Sequence, residues 1–149
     1  MPVETDFDRL MSVIEEFWGY RTLRPLQERA MRAALSGRDS LTVMPTGSGK
    51  SLCFQAPALL DTERPTLVIS PLIALMKDQV DRLRSIGVNA YHIDHTLNAS
   101  AKREIFNELN ARRVPLLFVA PERLMLSQFQ DYLQSLDVRT FVIDEAHCI

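Results

Sequence analysis

One eight-residue stretch, Met44 to Ser51, constrains the fold of this chain more than any other. It reads Met-Pro-Thr-Gly-Ser-Gly-Lys-Ser and lies between an apolar run, residues 41–43, and a segment, residues 52–60, that can continue as a helix. A strand, a glycine-bearing loop and the start of a helix together form a phosphate-binding loop. The sequence therefore predicts a strand, a nucleotide-binding loop and a helix in that order.

The residue types of this loop suit the binding of phosphate groups. Glycines allow the backbone to turn so that successive N–H groups point at phosphate oxygens, and the start of the next helix adds further N–H groups. Lys50 can reach the β- and γ-phosphates, and the Ser51 hydroxyl can complete a Mg²⁺ shell. The residues predicted to bind nucleotide are Thr46, Gly47, Ser48, Gly49, Lys50 and Ser51.

A second candidate contact with a nucleotide lies upstream of the loop. An aromatic, an arginine and an amide stand at Tyr20, Arg24 and Gln27. In one interpretation Tyr20 and Arg24 sandwich an adenine and Gln27 pairs with its edge, because amides recognise adenine through N6 and N7. In the other, the segment is a turn between packed helices with a surface arginine. The spacing alone leaves both interpretations open.

The rest of the chain alternates short β-rich runs with helical periodicity. Strands are predicted at 66–69, 88–93, 115–120 and 139–143, and helices at 7–17, 26–35, 72–86, 99–111 and 123–136. Alternating strands and helices imply an α/β fold with a parallel sheet. Three of the strands are continuously apolar, which is typical of strands covered on both faces.

The last predicted strand ends in Asp144-Glu145-Ala146-His147. A parallel α/β sheet presents carboxylates at its strand ends next to a phosphate site. Asp144 is therefore predicted to hold Mg²⁺, and Glu145 to orient and deprotonate an attacking water. An Asp-Glu pair after a strand is otherwise commonly a solvated turn. The phosphate loop about 95 residues upstream favours the catalytic interpretation.

Composition excludes several classes of protein. The chain has 17 basic and 19 acidic residues, a net charge of -2, so any nucleic-acid surface must be a local patch. Cys53 and Cys148 lack the spacing of a disulfide framework or a zinc site, and His92 and His95 are interpreted as surface residues. No run of eighteen apolar residues occurs, so the sequence predicts a cytoplasmic protein without a membrane contact.

Five motifs in this order resemble the first half of the motor of superfamily 2 helicases, and most closely the RecQ family of DNA helicases. They occupy residues 18–27, 44–51, 70–79, 120–124 and 144–149. The last is a DEAH box, which other helicase groups share, whereas the first and third motifs are the ones whose resemblance points to RecQ. Helicase loops often relax the first glycine of the phosphate loop, in agreement with Met44.

The resemblance implies roles that spacing does not show. His147 couples the ATP site to the DNA-facing elements, and Ser70, Lys77 and Arg123 contact the phosphodiester backbone. The alternative for the third motif is structural. In that alternative, the apolar residues Leu72, Leu75 and Met76 belong to the core and Lys77 is an ordinary solvent-facing charge.

The same resemblance implies the fold and the activity. A helical segment with the adenine motif covers residues 1–36, and a partial, three-layer, RecA-like P-loop domain covers 37–149. The activity is that of an ATP- and Mg²⁺-dependent, 3′-to-5′ helicase that acts on single-stranded and forked DNA in recombination and repair. The expected location is the bacterial cytoplasm or nucleoid, or the nucleus in a eukaryote.

The resemblance also implies parts that these residues do not contain. The RecA-like sheet is expected to be truncated after the Walker B strand, and activity to require a second RecA-like domain whose arginine completes the ATP site. The 149 residues alone are therefore expected to be inactive. Two alternatives stay open, namely another P-loop motor that acts on RNA or chromatin, and a non-catalytic nucleotide- or DNA-binding fragment.

Overall fold

The computed structural model describes residues 4–148 and divides them into two compact units, one ending at Leu60 and the other beginning at Asp61. Ile149, the last residue of the fifth motif, lies outside the described residues. The functional division predicted after residue 36 stays a prediction.

Three helices build the first unit. They are α1 (Asp6–Trp18), α2 (Pro25–Leu35) and α3 (Leu52–Ala58). Helix α1 begins with a capping box, in which Thr5 and Asp8 each accept a hydrogen bond from the other's backbone N–H at 3.1 Å. The apolar stripe of α1 is buried against the other two helices in a small core of Leu10, Ile14, Met31, Leu52 and Ala56. The helices predicted here are confirmed to within two residues.

The strand predicted at residues 41–43 is wrong. Residues 38–45 have no regular secondary structure, and the side chains of Leu41 and Val43 are 83% and 80% exposed. No strand in the described part of the chain pairs with this segment. An apolar run becomes a strand only where a neighbour accepts its backbone hydrogen bonds, and composition does not reveal whether that neighbour exists.

The second unit is built on a parallel sheet of four strands. They are β1 (Thr66–Ile69), β2 (Ala90–Ile93), β3 (Leu116–Val119) and β4 (Thr140–Ile143), in the order β2-β3-β1-β4. The last residues of neighbouring strands are in register: Ile69 pairs with Val119 and Ile143, and Val119 pairs with Ile93. All four carboxyl ends therefore lie at one edge of the sheet.

Helices cover both faces of this sheet. They are α4 (Ile73–Ser85), α5 (Ala99–Asn110), a 3₁₀ helix (Pro121–Met125) and α6 (Ser127–Leu136). Helices α5 and α6 pack on the face that includes Leu67 and Leu117. Val68 and Phe118 alternate with those residues, point to the other face and are fully buried, and α4 contacts β2 and β3. The predicted three-layer α/β fold is confirmed.

Two details differ from the expectation. The helix predicted at 123–136 is interrupted at Leu126, whose extended backbone (φ −82°, ψ 119°) separates the 3₁₀ helix from α6. Coverage on both faces holds for β1 and β3 but is wrong for β4, where Phe141 and Ile143 are 59% and 56% exposed. Strand β4 is an edge strand that pairs with β1 alone in the described residues, so its outer side lacks a neighbour.

Among the described residues, no helix has the length and apolar character needed to cross a membrane.

Candidate functional site

The phosphate loop adopts a conformation that requires its two glycines. Gly47 and Gly49 have φ of 79° and 80°, in the left-handed region that costs other residues about 1–2 kcal/mol. Between them, the backbone N–H of Ser48 donates to the Pro45 carbonyl at 3.2 Å, and the Ser48 hydroxyl donates to the same oxygen. The loop is thus a tight turn.

Lys50 and Ser51 lie in the turn that leads into α3, which begins at Leu52. The carbonyls of Lys50 and Ser51 accept hydrogen bonds from the N–H groups of Cys53 (3.1 Å) and Gln55 (3.0 Å). Each of these two residues is half-buried. Their backbone is therefore fixed by the helix although both precede it.

Gln27 ties the phosphate loop to helix α2. Its side-chain Oε1 accepts from the Arg24 backbone N–H at 2.9 Å, and its Nε2 donates to the Gly49 carbonyl at 3.0 Å. A Cβ atom at Gly49 would lie 2.3 Å from that Nε2, so any side chain at this position would displace the Gln27 amide. The sequence did not predict this role, although the three-residue spacing from Arg24 to Gln27 is that of a capping box.

Tyr20 and Arg24 are exposed, and both can be approached by a ligand. The Tyr20 side chain is 54% exposed. The Arg24 guanidinium donates to the Gly47 carbonyl at 3.4 Å, which brings it to the same loop. Adenine recognition by these residues and Gln27 stays a prediction.

In the second unit, the carboxylate of Asp144 is buried and held at both oxygens. Its Oδ2 accepts from Gln79 Nε2 on α4 at 3.2 Å, and its Oδ1 accepts from the Glu145 backbone N–H at 3.1 Å. The Asp144 N–H donates to Ile69 at 2.9 Å, which extends the β1–β4 pairing by one residue. Asp144 is 5% exposed. Gln79 is the last residue of the third motif, but the sequence did not predict its contact with Asp144, which lies 65 residues downstream.

Glu145 directly follows in an unusual backbone conformation. Its φ of 55° lies in the left-handed region, which residues other than glycine seldom adopt. Residues with such backbone angles are found preferentially at functional sites. His147 Nε2 lies 3.4 Å from Glu145 Oε2, and the His147 side chain is 75% exposed. The DEAH box therefore presents a half-buried carboxylate next to an exposed imidazole.

Glu145, His147 and Cys148 also place one potential metal-ligand atom each within 4.8 Å of one another. A thiol and an imidazole suit zinc better than magnesium, which prefers carboxylates and other oxygen ligands. Asp144 and Ser51 thus stay the predicted magnesium ligands.

The three residues expected to contact DNA differ in their exposure. Ser70 is 1% exposed, and its hydroxyl accepts from the Leu72 N–H at 3.5 Å. Lys77 is exposed on α4. Arg123 lies with its guanidinium 5.3 Å from the ring centre of Phe129, at a cavity of about 520 Å³, and its Nε is buried without a hydrogen-bond partner in the described structure.

Of the three apolar residues of the third motif that the structural alternative places in the core, one is buried there. Met76 is fully buried, whereas Leu72 and Leu75 are 45% and 37% exposed. The amino-terminal turn of α4 therefore presents apolar side chains to solvent next to Lys77.

His92 is not the surface residue that the sequence suggested. Its side chain is 17% exposed, and its Nδ1 lies 2.7 Å from Oδ2 of the buried Asp94. Burial raises the pKa of Asp94, but hydrogen bonds from Thr96 and His92 outweigh it and lower that pKa below its usual value. The exposed fraction of His95 agrees with the expectation. We interpret the His92–Asp94 pair as structural.

Comparison with known proteins relates these motifs to helicases. Residues 24–149 match the DEAD/DEAH box helicase family. The chain is 44% identical to the ATP-dependent DNA helicase RecQ of Haemophilus influenzae, over 93% of this chain and 22% of that protein. It is 44% identical to RecQ of Bacillus subtilis over 95% of this chain and 24% of the relative. It is 39% identical to the ATP-dependent DNA helicase Q5 of Rattus norvegicus over 99% of this chain and 16% of the relative.

The chain thus spans between about a sixth and a quarter of the length of these relatives. Among solved structures, it resembles the DUF1998 helicase MrfA bound to DNA and AMPPNP, with a TM-score of 0.79 and 24% identity over 99% of this chain and 22% of that one. At this identity, the likeness concerns the fold.

Proposed function

The chain belongs to the DEAD/DEAH box helicase family, and from this premise we propose that it is the ATP-binding part of a RecQ-like DNA helicase. The motor hydrolyses ATP, moves 3′ to 5′ on single-stranded DNA and opens forked DNA in recombination and repair. The observation that carries the proposal is the buried, doubly held carboxylate of Asp144 with Glu145 directly after it at the carboxyl edge of the sheet.

The residues present fit a nucleotide with magnesium. The turn through Gly47 and Gly49 leaves the phosphate loop without side chains at two positions, and Lys50 supplies a positive charge for the phosphates. Ser51 and Asp144 are the oxygen ligands that would hold Mg²⁺, since a carboxylate fixed at both oxygens is ready to coordinate a hard cation. When bound, Mg²⁺ would neutralise part of the negative charge of the nucleotide phosphates.

Glu145 is the proposed general base for the attacking water. Its side chain is half-buried, and its backbone has a left-handed φ of 55° directly after Asp144. His147 Nε2 lies 3.4 Å from the Glu145 carboxylate. Its proposed role, the coupling of the ATP site to the DNA-facing elements, comes from the family resemblance.

Lys77 and Arg123 are the proposed contacts with the DNA backbone. Lys77 is exposed, and the buried Nε of Arg123 is a donor that still lacks an acceptor, as a phosphate-binding arginine does before its ligand arrives. Ser70 is assigned to the same surface from the family resemblance. In the present conformation its hydroxyl is buried, so its contact with DNA requires a movement of the turn before α4.

We further propose that a second RecA-like domain supplies the arginine that completes the ATP site, and that the protein works in the cytoplasm or nucleoid, or in a nucleus. The test is an ATPase assay of the full-length gene product with single-stranded DNA or RNA, beside unwinding of a forked duplex. DNA-stimulated hydrolysis with unwinding of 3′-tailed substrates is expected. Stronger stimulation by RNA favours another P-loop motor, and nucleotide binding without turnover favours a non-catalytic binding protein.

Replacing Gln27 by alanine separates base recognition from support of the phosphate loop. The loss of its hydrogen bond to Gly49 should lower the turnover of ATP and of GTP to the same extent. The loss of adenine pairing should lower ATP turnover by about a further tenfold, which is the contribution of one or two hydrogen bonds. The measurement is ATP and GTP turnover by the full-length product. Equal losses for the two nucleotides would show that Gln27 only holds the loop.

A further inference from the structure

Helix α4 reaches the proposed magnesium ligand through one side chain. Gln79 Nε2 donates to Asp144 Oδ2 at 3.2 Å, and Asp144 is 5% exposed. A hydrogen bond from an amide to a buried carboxylate fixes the side-chain rotamer of that carboxylate, because each alternative rotamer leaves a desolvated oxygen with fewer donors. Each carboxylate oxygen can accept more than one bond, so the hydrogen bond from Gln79 does not by itself prevent Asp144 from holding a cation.

The same helix carries the candidate DNA contact. Lys77 is exposed on α4, whereas Met76 and Val80 of the same helix are buried. Gln79 lies two residues after Lys77, on the flank of the buried side and within one helical turn. Lys77 and Gln79 belong to one helix of thirteen residues, and rigid secondary elements can carry coupling between sites, so a displacement of α4 at Lys77 would also move the amide of Gln79.

We propose that Gln79 is a positioning residue that holds Asp144 in the rotamer that binds magnesium, and that it couples DNA contact on α4 to the affinity for the metal. The inference rests on the proposed function, since it needs Asp144 as a magnesium ligand. Partners of metal ligands in the second coordination shell are typically worth about 10–100-fold in metal affinity.

The test compares two substitutions that separate hydrogen bonding from shape. Gln79→Ala removes the donor and the side chain, whereas Gln79→Met keeps the length of the side chain without the donor. If Gln79 acts as a donor, the Mg²⁺ concentration for half-maximal binding of a fluorescent ATP analogue rises by about 10–100-fold in both variants. Gln134→Ala is the matched control, since this glutamine is exposed on α6. Thermal unfolding of each variant checks the fold.

The coupling has its own readout. Single-stranded DNA should lower the half-saturating Mg²⁺ concentration of the parent full-length product and leave that of Gln79→Ala unchanged. Unaltered Mg²⁺ dependence in Gln79→Ala, or parent-like Mg²⁺ dependence in Gln79→Met, overturns the positioning role. Asp144→Ala distinguishes this failure from that of the proposed function. If it too binds the nucleotide with the parent's Mg²⁺ dependence, the magnesium assignment itself is wrong, and the inference with it.

Discussion

Glu145→Gln in the full-length gene product is expected to bind Mg²⁺-ATP with the parent's affinity and to hydrolyse it about 10²–10⁴-fold more slowly. This range is the usual worth of a positioned general base. The amide of glutamine preserves the shape of the side chain but cannot accept a proton, and the role proposed for Glu145 concerns the water and not the nucleotide. The measurements are a fluorescent-nucleotide titration and a phosphate-release assay on the same preparation.

Lys50→Ala serves as the comparison, because it should lose nucleotide binding as well as turnover. The Lys50 ammonium contacts phosphates in the ground state as well as in the transition state, so its removal should damage affinity and turnover together. The ATP-loaded Glu145→Gln protein should still bind single-stranded DNA, because Lys77 and Arg123 belong to other motifs. Hydrolysis at the parent rate, or a loss of nucleotide binding as complete as that of Lys50→Ala, would exclude Glu145 as the base.

The sequence predicted those parts of the fold that depend on local pattern. Strands β1 and β3 are continuous apolar runs between helical stretches, and both are buried along their whole length. The two glycines of the phosphate loop were recognised from their spacing, and both have the positive φ that such a loop requires. Each of these features depends on a few consecutive residues, so it can be predicted without knowing which distant residues it contacts.

The features that the sequence missed depend on partners elsewhere in the chain. Residues 41–43 are as apolar as a strand, yet they remain irregular because no strand pairs with them in the described structure. The exposure of Phe141 follows from the edge position of β4 and not from its composition. The same applies within the site, where Gln79 and Asp144 are 65 residues apart, and Gln27 and Gly49 are 22 apart. Periodicity contains no information about such pairs.

Gly49→Ala should abolish most nucleotide binding by the full-length product, and more completely than Gly47→Ala does. Both substitutions place a side chain at φ near 80°, which costs about 1–2 kcal/mol. At Gly47 no atom lies within 4 Å of the added Cβ, whereas at Gly49 it would lie 2.3 Å from Gln27 Nε2, displace that amide and cost about 0.5–1.5 kcal/mol for the lost hydrogen bond to the Gly49 carbonyl. Affinity for Mg²⁺-ATP should therefore fall by about 5–30-fold for Gly47→Ala and by about 10–300-fold for Gly49→Ala.

The double variant Gln27→Ala/Gly49→Ala identifies the cause of that difference. In the parent background Gln27→Ala weakens nucleotide binding, because it releases the Gly49 carbonyl. In the Gly49→Ala background the same change removes the atom that the new Cβ meets, so it should strengthen binding. Gly37→Ala, with φ of 72° and no neighbour within 4 Å, lies outside the loop and controls for backbone strain alone. A reversal of sign is expected only if Gln27 and Gly49 are in contact in the nucleotide-binding state. If Gln27→Ala weakens binding equally in both backgrounds, that contact does not form when ATP binds, and the role of Gln27 in shaping the phosphate loop is refuted.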